Sequence, residues 1–260
     1  MSGAGSKPVL WHIGVSHYSE KARWALAYKG IEHERREAVP GAHMAVALWL
    51  TRGGQVTFPI LMLDDEPIGG SDAIIGALEA RNPAPPLYPD DPRERRRALD
   101  LAAYFDEALG PAVRLLGWHH MRRDRERLER LAAGSLPAPL RGSSIARATA
   151  TSFAGAFVAL RFRVASAEAE ARAREEVLAG IDRLERELDG GEHLAGGAFS
   201  VADLTAAALL YPFVLPPEGP RLPEAPTSAQ AFLDELRPRP FWGWVERTFA
   251  RYRAPATAAE

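Results

Sequence analysis

The chain has 260 residues, enough for one large domain or two modest ones, and its 47% hydrophobic and 25% charged residues are typical of globular proteins. The net charge of -2 offers no attraction for nucleic acid or an anionic membrane, and no stretch approaches the roughly 20 apolar residues of a membrane span. We therefore expect neither partner, and because residues 1–7 lack the apolar run of a signal peptide we predict a cytoplasmic protein.

Cysteine is absent, which excludes disulfides, thiolate metal sites and a cysteine nucleophile. Any sulfur chemistry therefore needs a thiol that a ligand brings in.

The first third of the chain alternates short apolar runs with helical patterns. In chain order we predict strand 8–13, helix 20–29, strand 33–39, helix 42–50, strands 59–64 and 66–68, and helix 72–81. This β-α-β-α-β-β-α order is that of a thioredoxin-like domain, which we assign to residues 1–82.

A proline-rich segment, residues 83–92, reads as an extended linker because its prolines fit neither a helix interior nor a central strand. Residues 93–260 are predicted to form an all-helical domain. Its expected elements are a helix over 93–131 bent at Gly110-Pro111, helices over 145–162 and 168–188, a loop over 215–228, and a last helix over 240–253. The fold class is thus an α/β thioredoxin-like domain followed by an all-α domain.

The most specific local signature lies in the helical part, over residues 199–204. Ser200 as N-cap and Asp203 three residues later form a capping box, and Phe199 and Leu204 supply a hydrophobic staple. By itself this motif is a folding signal without a catalytic role.

Together, the strand-loop-helix start, the proline-led strand at Phe58-Pro59, the serine-opened third helix, the Pro-Leu-Tyr-Pro linker and this capping box resemble the cytosolic glutathione S-transferases. The resemblance covers nearly the whole chain. It implies a glutathione site on the first domain, attack of the glutathione thiolate on a small apolar electrophile in a cleft between the domains, and a homodimer.

Ser16 opens the first helix and matches the catalytic serine of the serine-type members. A hydroxyl can donate to a bound thiolate, and a helix N-terminus favours negative charge. Lowering a thiol pKa by about two units needs only ~2.7 kcal/mol. A plain N-cap role for Ser16 and a substitute role for Tyr18 are the alternatives. Lys21 and Arg23 are expected to be solvated or structural rather than catalytic.

The resemblance also implies how glutathione is held. Pro59 is expected to be cis, with Phe58 presenting its backbone to the cysteinyl unit. Ser71 is expected to receive the γ-glutamyl carboxylate. Gly70 replaces the acidic residue of the family, and Asp72 is the nearest carboxylate, so glutathione affinity is the open question.

Four further residues lie where family members line the hydrophobic substrate pocket: Tyr104, Arg114, Trp118 and Tyr211. A metal site is not expected, because His119 and His120 are adjacent on a predicted helix and point about 100° apart.

Two alternatives to the transferase reading remain. One is a glutathione-dependent isomerase, lyase or dehalogenase on the same fold. The other is a non-catalytic binding protein, which the loss of the acidic residue at Gly70 favours.

Overall fold

The structure is a computed structural model that describes residues 6–38, 43–134, 136, 138–162 and 166–253. In chain order the helices and strands are β1 Val9–His12, α1 His17–Tyr28, β2 Glu34–Glu37, α2 His43–Leu50, β3 Ile60–Leu63, β4 Glu66–Gly69, α3 Ser71–Arg81, α4 Pro92–Tyr104, α5 Gly110–Met121, α6 Arg125–Gly134, α7 Ser144–Phe162, α8 Ala167–Leu188, α9 Val201–Val214, α10 Thr227–Leu236 and α11 Pro240–Tyr252. A π-helical turn, Phe105–Leu109, joins α4 to α5. Among these described helices, none is both long and apolar enough to cross a membrane.

The strands form a mixed four-stranded sheet in the order β2-β1-β3-β4. Strand β1 pairs with β2 in parallel and with β3 antiparallel, and β3 pairs with β4 antiparallel. The predicted element order is confirmed, as is the cis peptide bond between Phe58 and Pro59.

The segment between α3 and α4 contains no helix or strand over residues 82–91, in keeping with the predicted linker. The division of the chain into two domains at this segment stays a prediction. The backbone N–H of Val201 donates to the carbonyl of Leu87 at 2.7 Å, so the segment is tied to the start of α9.

The predicted helix over 93–131, bent at Gly110-Pro111, is irregular in two places, of which the second was not predicted. Because Pro111 has no N–H to donate, the regular ladder gives way to the π-helical turn just before α5. The chain then turns at residues 122–124, where the Asp124 carboxylate accepts a hydrogen bond from the Arg127 N–H at 3.1 Å and opens α6.

Helix α10 begins within the predicted loop over 215–228. Its apolar residues Phe232, Leu233 and Leu236 are buried. This ten-residue helix is therefore stabilised by packing against the core, which the local sequence pattern does not show.

The core is continuous between α1 and the helical part of the molecule. Trp24 of α1 lies between Phe199 and Phe249, with ring centroids 5.8 and 4.3 Å away, and its indole N–H donates to the Tyr252 carbonyl at 2.9 Å. The predicted capping box is confirmed, since the Asp203 carboxylate accepts from the Ser200 N–H at 2.9 Å. Helix α1 is therefore held rigidly where it begins at the candidate site.

Candidate functional site at one edge of the sheet

Three sequence-predicted elements meet at one edge of the sheet. Strand β1 ends there and leads to Ser16, and β3 begins there after Pro59, because Trp11 of β1 is the register partner of Ile60. The N–H of Gly70 donates to the Pro59 carbonyl at 3.0 Å, which brings the start of α3 to the same edge. The N-termini of α1 and α3 therefore both face this edge, where their dipoles favour an anionic ligand.

Ser16 is the N-cap of α1, as predicted, with an extended backbone. Its side-chain oxygen accepts from the N–H of Ser19 at 3.3 Å, and its own N–H donates to the Ile13 carbonyl at 3.1 Å. A hydroxyl whose oxygen accepts a hydrogen bond still has its hydrogen to donate. The cap geometry is therefore compatible with donation to a thiolate.

The loop before Ser16 is fixed from below by Arg23. Its guanidinium donates to the Gly14 carbonyl at 3.1 Å and lies 3.0 Å from the His12 ring. Glu20, which is completely buried, accepts from Arg23 at 2.8 Å. Arg23 is thus structural, and the alternative that it is solvated is wrong, because α1 is covered on most of its faces and buries its charged side chains as well.

His17, directly after Ser16, is a buried neutral imidazole. Its pKa is lowered to about 3, chiefly by burial and also by the positive Arg114, while a hydrogen bond with the Gly110 backbone opposes both. Its Nε2 atom is buried and has no hydrogen-bond partner among the described residues. His17 therefore brings no positive charge to the Ser16 loop at neutral pH.

Tyr18 links α1 to the helical part of the chain. Its hydroxyl donates to the Asp106 carbonyl at 2.8 Å, and Gly110 has no side chain because a Cβ there would overlap that hydroxyl. Burial raises the pKa of Tyr18, so the group is a poor source of a phenolate. The structure gives Tyr18 a bond between the two parts of the molecule in place of a free hydroxyl.

The residues around the cis peptide bond are firmly held. Phe58 is buried and its ring stacks on Trp11 with centroids 6.4 Å apart. The side chain of Gln55 donates to the carbonyl of Thr57 at 2.6 Å and to that of Pro59 at 3.4 Å. The backbone before β3 is therefore fixed before any ligand arrives.

The start of α3 depends on glycine. Gly70 is its N-cap with φ of 92° and ψ of 141°, a conformation that residues with a Cβ rarely adopt. Ser71 is the first helical residue and is buried, and Asp72 follows it. The absence of an acidic side chain at position 70 thus coincides with an unstrained backbone there.

Asp72 belongs to a charged cluster that the sequence did not predict. The ammonium of Lys21, in α1, contacts the carboxylates of Asp72 and Asp106, the latter from the π-helical turn. The side chains of Lys21, Asp72 and Asp106 are 0%, 66% and 8% exposed. Lys21 is therefore structural, and the alternative that it is solvated is wrong.

The two carboxyl groups of this cluster titrate in opposite directions. The pKa of Asp106 is raised to about 7, chiefly by burial; the positive Lys21 opposes this rise and the neighbouring Asp72 adds to it. Burial also works against ionisation of Asp72, but hydrogen bonds from Asp106 and Lys21 outweigh it and lower the pKa of Asp72. These two pKa directions describe a protonated Asp106 beside an ionised Asp72.

The four predicted pocket residues divide into two pairs. Arg114 and Trp118 stand four residues apart on α5, hence on one face, and the Arg114 guanidinium lies 5.7 Å from the centre of the Tyr18 ring. Tyr104 and Tyr211 make other contacts, and a pocket role for them stays a prediction. Tyr104 faces α8, with the Arg183 guanidinium 4.2 Å from its ring, and Tyr211 is completely buried and donates to the Val15 carbonyl at 3.3 Å.

His119 and His120 contact a carboxylate. The Nε2 atoms of His119 and His120 lie 3.0 and 3.8 Å from the Glu170 carboxylate of α8. Within the described part of the chain, no group of three or more histidine, cysteine, aspartate or glutamate side chains is arranged to hold a metal ion.

The residues that sequence reasoning missed are Lys21 and Asp106 as a cluster with Asp72. One signal was available for Lys21: it lies in the run of α1, where nine of twelve residues are buried, so a charged residue there had to find a partner. Nothing local to Asp106 indicated that it is that partner.

Two family models match the chain in the order of its two halves. The model described as glutathione S-transferase, N-terminal domain, matches residues 10–86, and the one described as glutathione S-transferase, C-terminal domain, matches residues 167–247. The chain belongs to the glutathione S-transferase family.

Individual relatives are more distant. Maleylacetoacetate isomerase of Rattus norvegicus is 37% identical over 106 residues, covering 37% of this chain and 48% of that protein, so the chain spans about half the length of this curated relative. The tau class glutathione S-transferase from mango, Mangifera indica, has a TM-score of 0.60 at 19% identity, with 95% of this chain and 90% of that chain covered. A glutathione S-transferase of Methylobacterium radiotolerans, solved in complex with glutathione sulfonate, has a TM-score of 0.56 at 22% identity, with 98% of each chain covered. At these identities the two structures show a shared fold.

Proposed function

We propose that the protein is a glutathione transferase in which the Ser16 hydroxyl activates the thiol of glutathione for attack on a small apolar electrophile. The observation that supports this most is the position of Ser16. It caps α1 at the sheet edge to which the cis proline and the start of α3 also contribute. We infer that the ligand is glutathione from the family to which the chain belongs, and the M. radiotolerans relative was solved with a glutathione derivative.

The chemistry asked of Ser16 is modest. A free thiol has a pKa near ~8.5 and is mostly protonated at neutral pH. When the bound thiol ionises, its proton leaves to solvent, and the thiolate then accepts a hydrogen bond from the Ser16 hydroxyl. The dipole of α1 adds to this. The thiolate sulfur forms a bond to the electrophilic carbon, and the electron pair displaced there leaves with the leaving group or moves onto the acceptor.

The remaining site residues hold the two substrates in this proposal. Phe58, before the cis Pro59, presents its backbone to the cysteinyl unit, and Ser71 receives the γ-glutamyl carboxylate at the N-terminus of α3. Arg114 and Trp118 line the electrophile's side of the cleft. We further propose a homodimer, as is usual for the family.

The test is an ultraviolet titration of the thiol of bound glutathione in wild type and Ser16→Ala. We expect a depressed thiol pKa in wild type that rises by about one to two units in the variant, with kcat/KM falling about tenfold to a hundredfold. Tyr18→Phe should leave the thiol pKa depressed.

A matched control is Ser166→Ala, which removes the N-cap serine of α8, where the side chain accepts from the Ala169 N–H at 3.0 Å. It costs a helix cap without touching the thiol. A thiol pKa that stays near the free value in wild type, or that is unchanged in Ser16→Ala, contradicts the assignment of Ser16. Failure of glutathione to bind in the millimolar range favours the alternative of a non-catalytic binding protein. The replacement of the family's acidic residue by Gly70 is the sequence feature that favours this alternative.

A second candidate is a glutathione-dependent isomerase. The partial match to rat maleylacetoacetate isomerase favours it. The same thiolate then adds to the substrate and leaves again, so glutathione is not consumed. Measuring glutathione consumption across a panel of electrophiles and cis-olefinic acids separates the two reactions.

A further inference from the structure

The cluster of Lys21, Asp72 and Asp106 joins three elements at the candidate site. Lys21 comes from α1, Asp72 from the second position of α3, and Asp106 from the π-helical turn of the helical part. The Lys21 ammonium is completely buried between the two carboxylates. The cluster therefore connects the start of α3, where the ligand's terminal amino acid is proposed to bind, to residues of both halves of the chain.

The cluster lacks one positive charge when both carboxyl groups are ionised. One ammonium then faces two carboxylates, of which Asp106 is buried with it and Asp72 is largely exposed, so the cluster carries one surplus negative charge. Oδ1 of Asp106 is buried, and among the described residues no donor reaches it. Asp72 and Asp106, which both contact the Lys21 ammonium, can form a hydrogen bond with each other only if one of them carries a proton. A shared proton therefore takes the place of the missing positive charge.

Several polar and charged groups around Asp106 also contact other residues. On α1, the Tyr18 hydroxyl is bonded to the Asp106 carbonyl. Two arginines of neighbouring helices lie over aromatic rings: Arg114 of α5 over Tyr18, and Arg183 of α8 over Tyr104. On α9, the Asp203 carboxylate accepts from the Leu194 N–H and the Tyr211 hydroxyl donates to the Val15 carbonyl. The high pKa of Asp106, about 7, agrees with this arrangement.

Asp72 is the open side of the cluster. Its side chain is 66% exposed, next to Ser71 at the N-terminus of α3. A Cβ placed on Gly70 meets no described atom within 4 Å, so there is free space beside the helix start. An amino acid whose carboxylate lies at Ser71 carries its ammonium one carbon away, within reach of this open carboxylate.

We propose that Asp72 binds the amino group of the ligand's terminal amino acid, and that Asp106 is a positioning residue which releases its shared proton to solvent when that ammonium arrives. The ammonium supplies the missing positive charge, so the proton is no longer needed. This inference rests on the proposed function, because the ligand is the γ-glutamyl end of glutathione. It gives the helical part of the chain a role in recognising that end.

The experiment is calorimetric titration with S-methylglutathione, whose blocked thiol cannot contribute a proton. Runs at pH 7 in buffers of different ionisation enthalpy give the number of protons released. We expect about half a proton per site for wild type, since a group with a pKa of about 7 is half protonated at pH 7. The dissociation constant should fall about eightfold from pH 6 to pH 7.5.

Two comparisons isolate the residues and the ligand group. Asp106→Asn keeps a donor toward Asp72 but cannot ionise, and should release no proton and bind with a flat pH profile. Glu107→Gln, an exposed carboxylate on the same turn, should behave as wild type. S-methylglutathione without its amino group should release no proton from wild type.

The outcomes distinguish this inference from the proposed function. Binding of S-methylglutathione without proton release, or equal release by Asp106→Asn or by the ligand lacking the amino group, overturns the inference and leaves the transferase proposal standing. Failure of S-methylglutathione to bind at all overturns both. The wild-type buffer series and the altered ligand give an answer even if the variant does not fold.

Discussion

Two ionic clusters lie side by side on α1 and solve the problem of buried charge differently. In the first, Glu20 accepts from Arg23 at 2.8 Å and from Arg253 at 2.7 Å, and the side chains of all three residues are at most 5% exposed. In the second, Lys21 contacts Asp72 and Asp106, and one of the two carboxylates is largely exposed.

The difference is one of completeness. In the first cluster both oxygens of the carboxylate accept hydrogen bonds, and one partner comes from the end of α11, so the cluster closes the molecule around α1. The second cluster keeps a buried carboxylate oxygen without a donor and an open carboxylate at the site. We infer that the first cluster supports the scaffold, whereas the second is completed by a ligand.

The sharpest test of the first cluster is Glu20→Ala. Removing the carboxylate leaves buried guanidinium charge without its counterion, and we expect a loss of about 3–5 kcal/mol in the free energy of unfolding. Urea denaturation followed by circular dichroism measures it.

The matched control is Glu34→Ala, which breaks an exposed pair with Arg36 at 3.3 Å. Exposed pairs contribute about 0–1 kcal/mol, so this variant should unfold near wild type. Equal losses in the two variants contradict a scaffold role for the first cluster.

The second cluster should reveal itself through pH. The folded state holds the Asp106 proton more tightly than the unfolded chain does, because the pKa of about 7 lies well above the usual 3.8. Between about pH 4 and pH 7 the folded protein therefore carries more protons, and this group's contribution to stability falls as the pH rises. Asp106→Asn removes the contribution, so relative to wild type it should gain about 3 kcal/mol from pH 4.5 to pH 7.5.

Urea midpoints at pH 4.5, 6 and 7.5 for wild type, Asp106→Asn and Glu107→Gln check this expectation. The glutamine variant should follow wild type. A constant difference between Asp106→Asn and wild type at every pH means that Asp106 does not hold a proton in the folded state.

Features that depend on residues close together in the sequence were predicted correctly. The order of the elements in the first third of the chain and the capping box at Ser200 and Asp203 were predicted, because each depends on neighbouring residues in a fixed spacing. Ser16 as N-cap belongs to the same kind of feature. The cis peptide bond before Pro59 was expected from the family resemblance.

Contacts between distant residues were beyond that reach. Lys21 meets partners 51 and 85 residues away, and no spacing in the sequence relates the three. The contact of Tyr104 with Arg183 was not predicted for a similar reason, since the direction of a helix face depends on the π-helical turn that follows it. The complete burial of Tyr211 follows from α9, which is buried on nearly all of its faces.

The smallest expected effect concerns the backbone that presents the open cluster. Gly70 and Gly117 both have space for a Cβ. Gly70 has φ of 92°, whereas Gly117 is a solvent-exposed residue in the middle of α5. Gly117→Ala should therefore stabilise the protein by about 1 kcal/mol, because alanine is the better helix former. Gly70→Ala should destabilise it by about 1 kcal/mol, because alanine disfavours a positive φ. Thermal unfolding of the two variants should show stability changes of opposite sign relative to wild type. If both variants are stabilised, the start of α3 tolerates another backbone conformation, and the position of Asp72 is not set by Gly70.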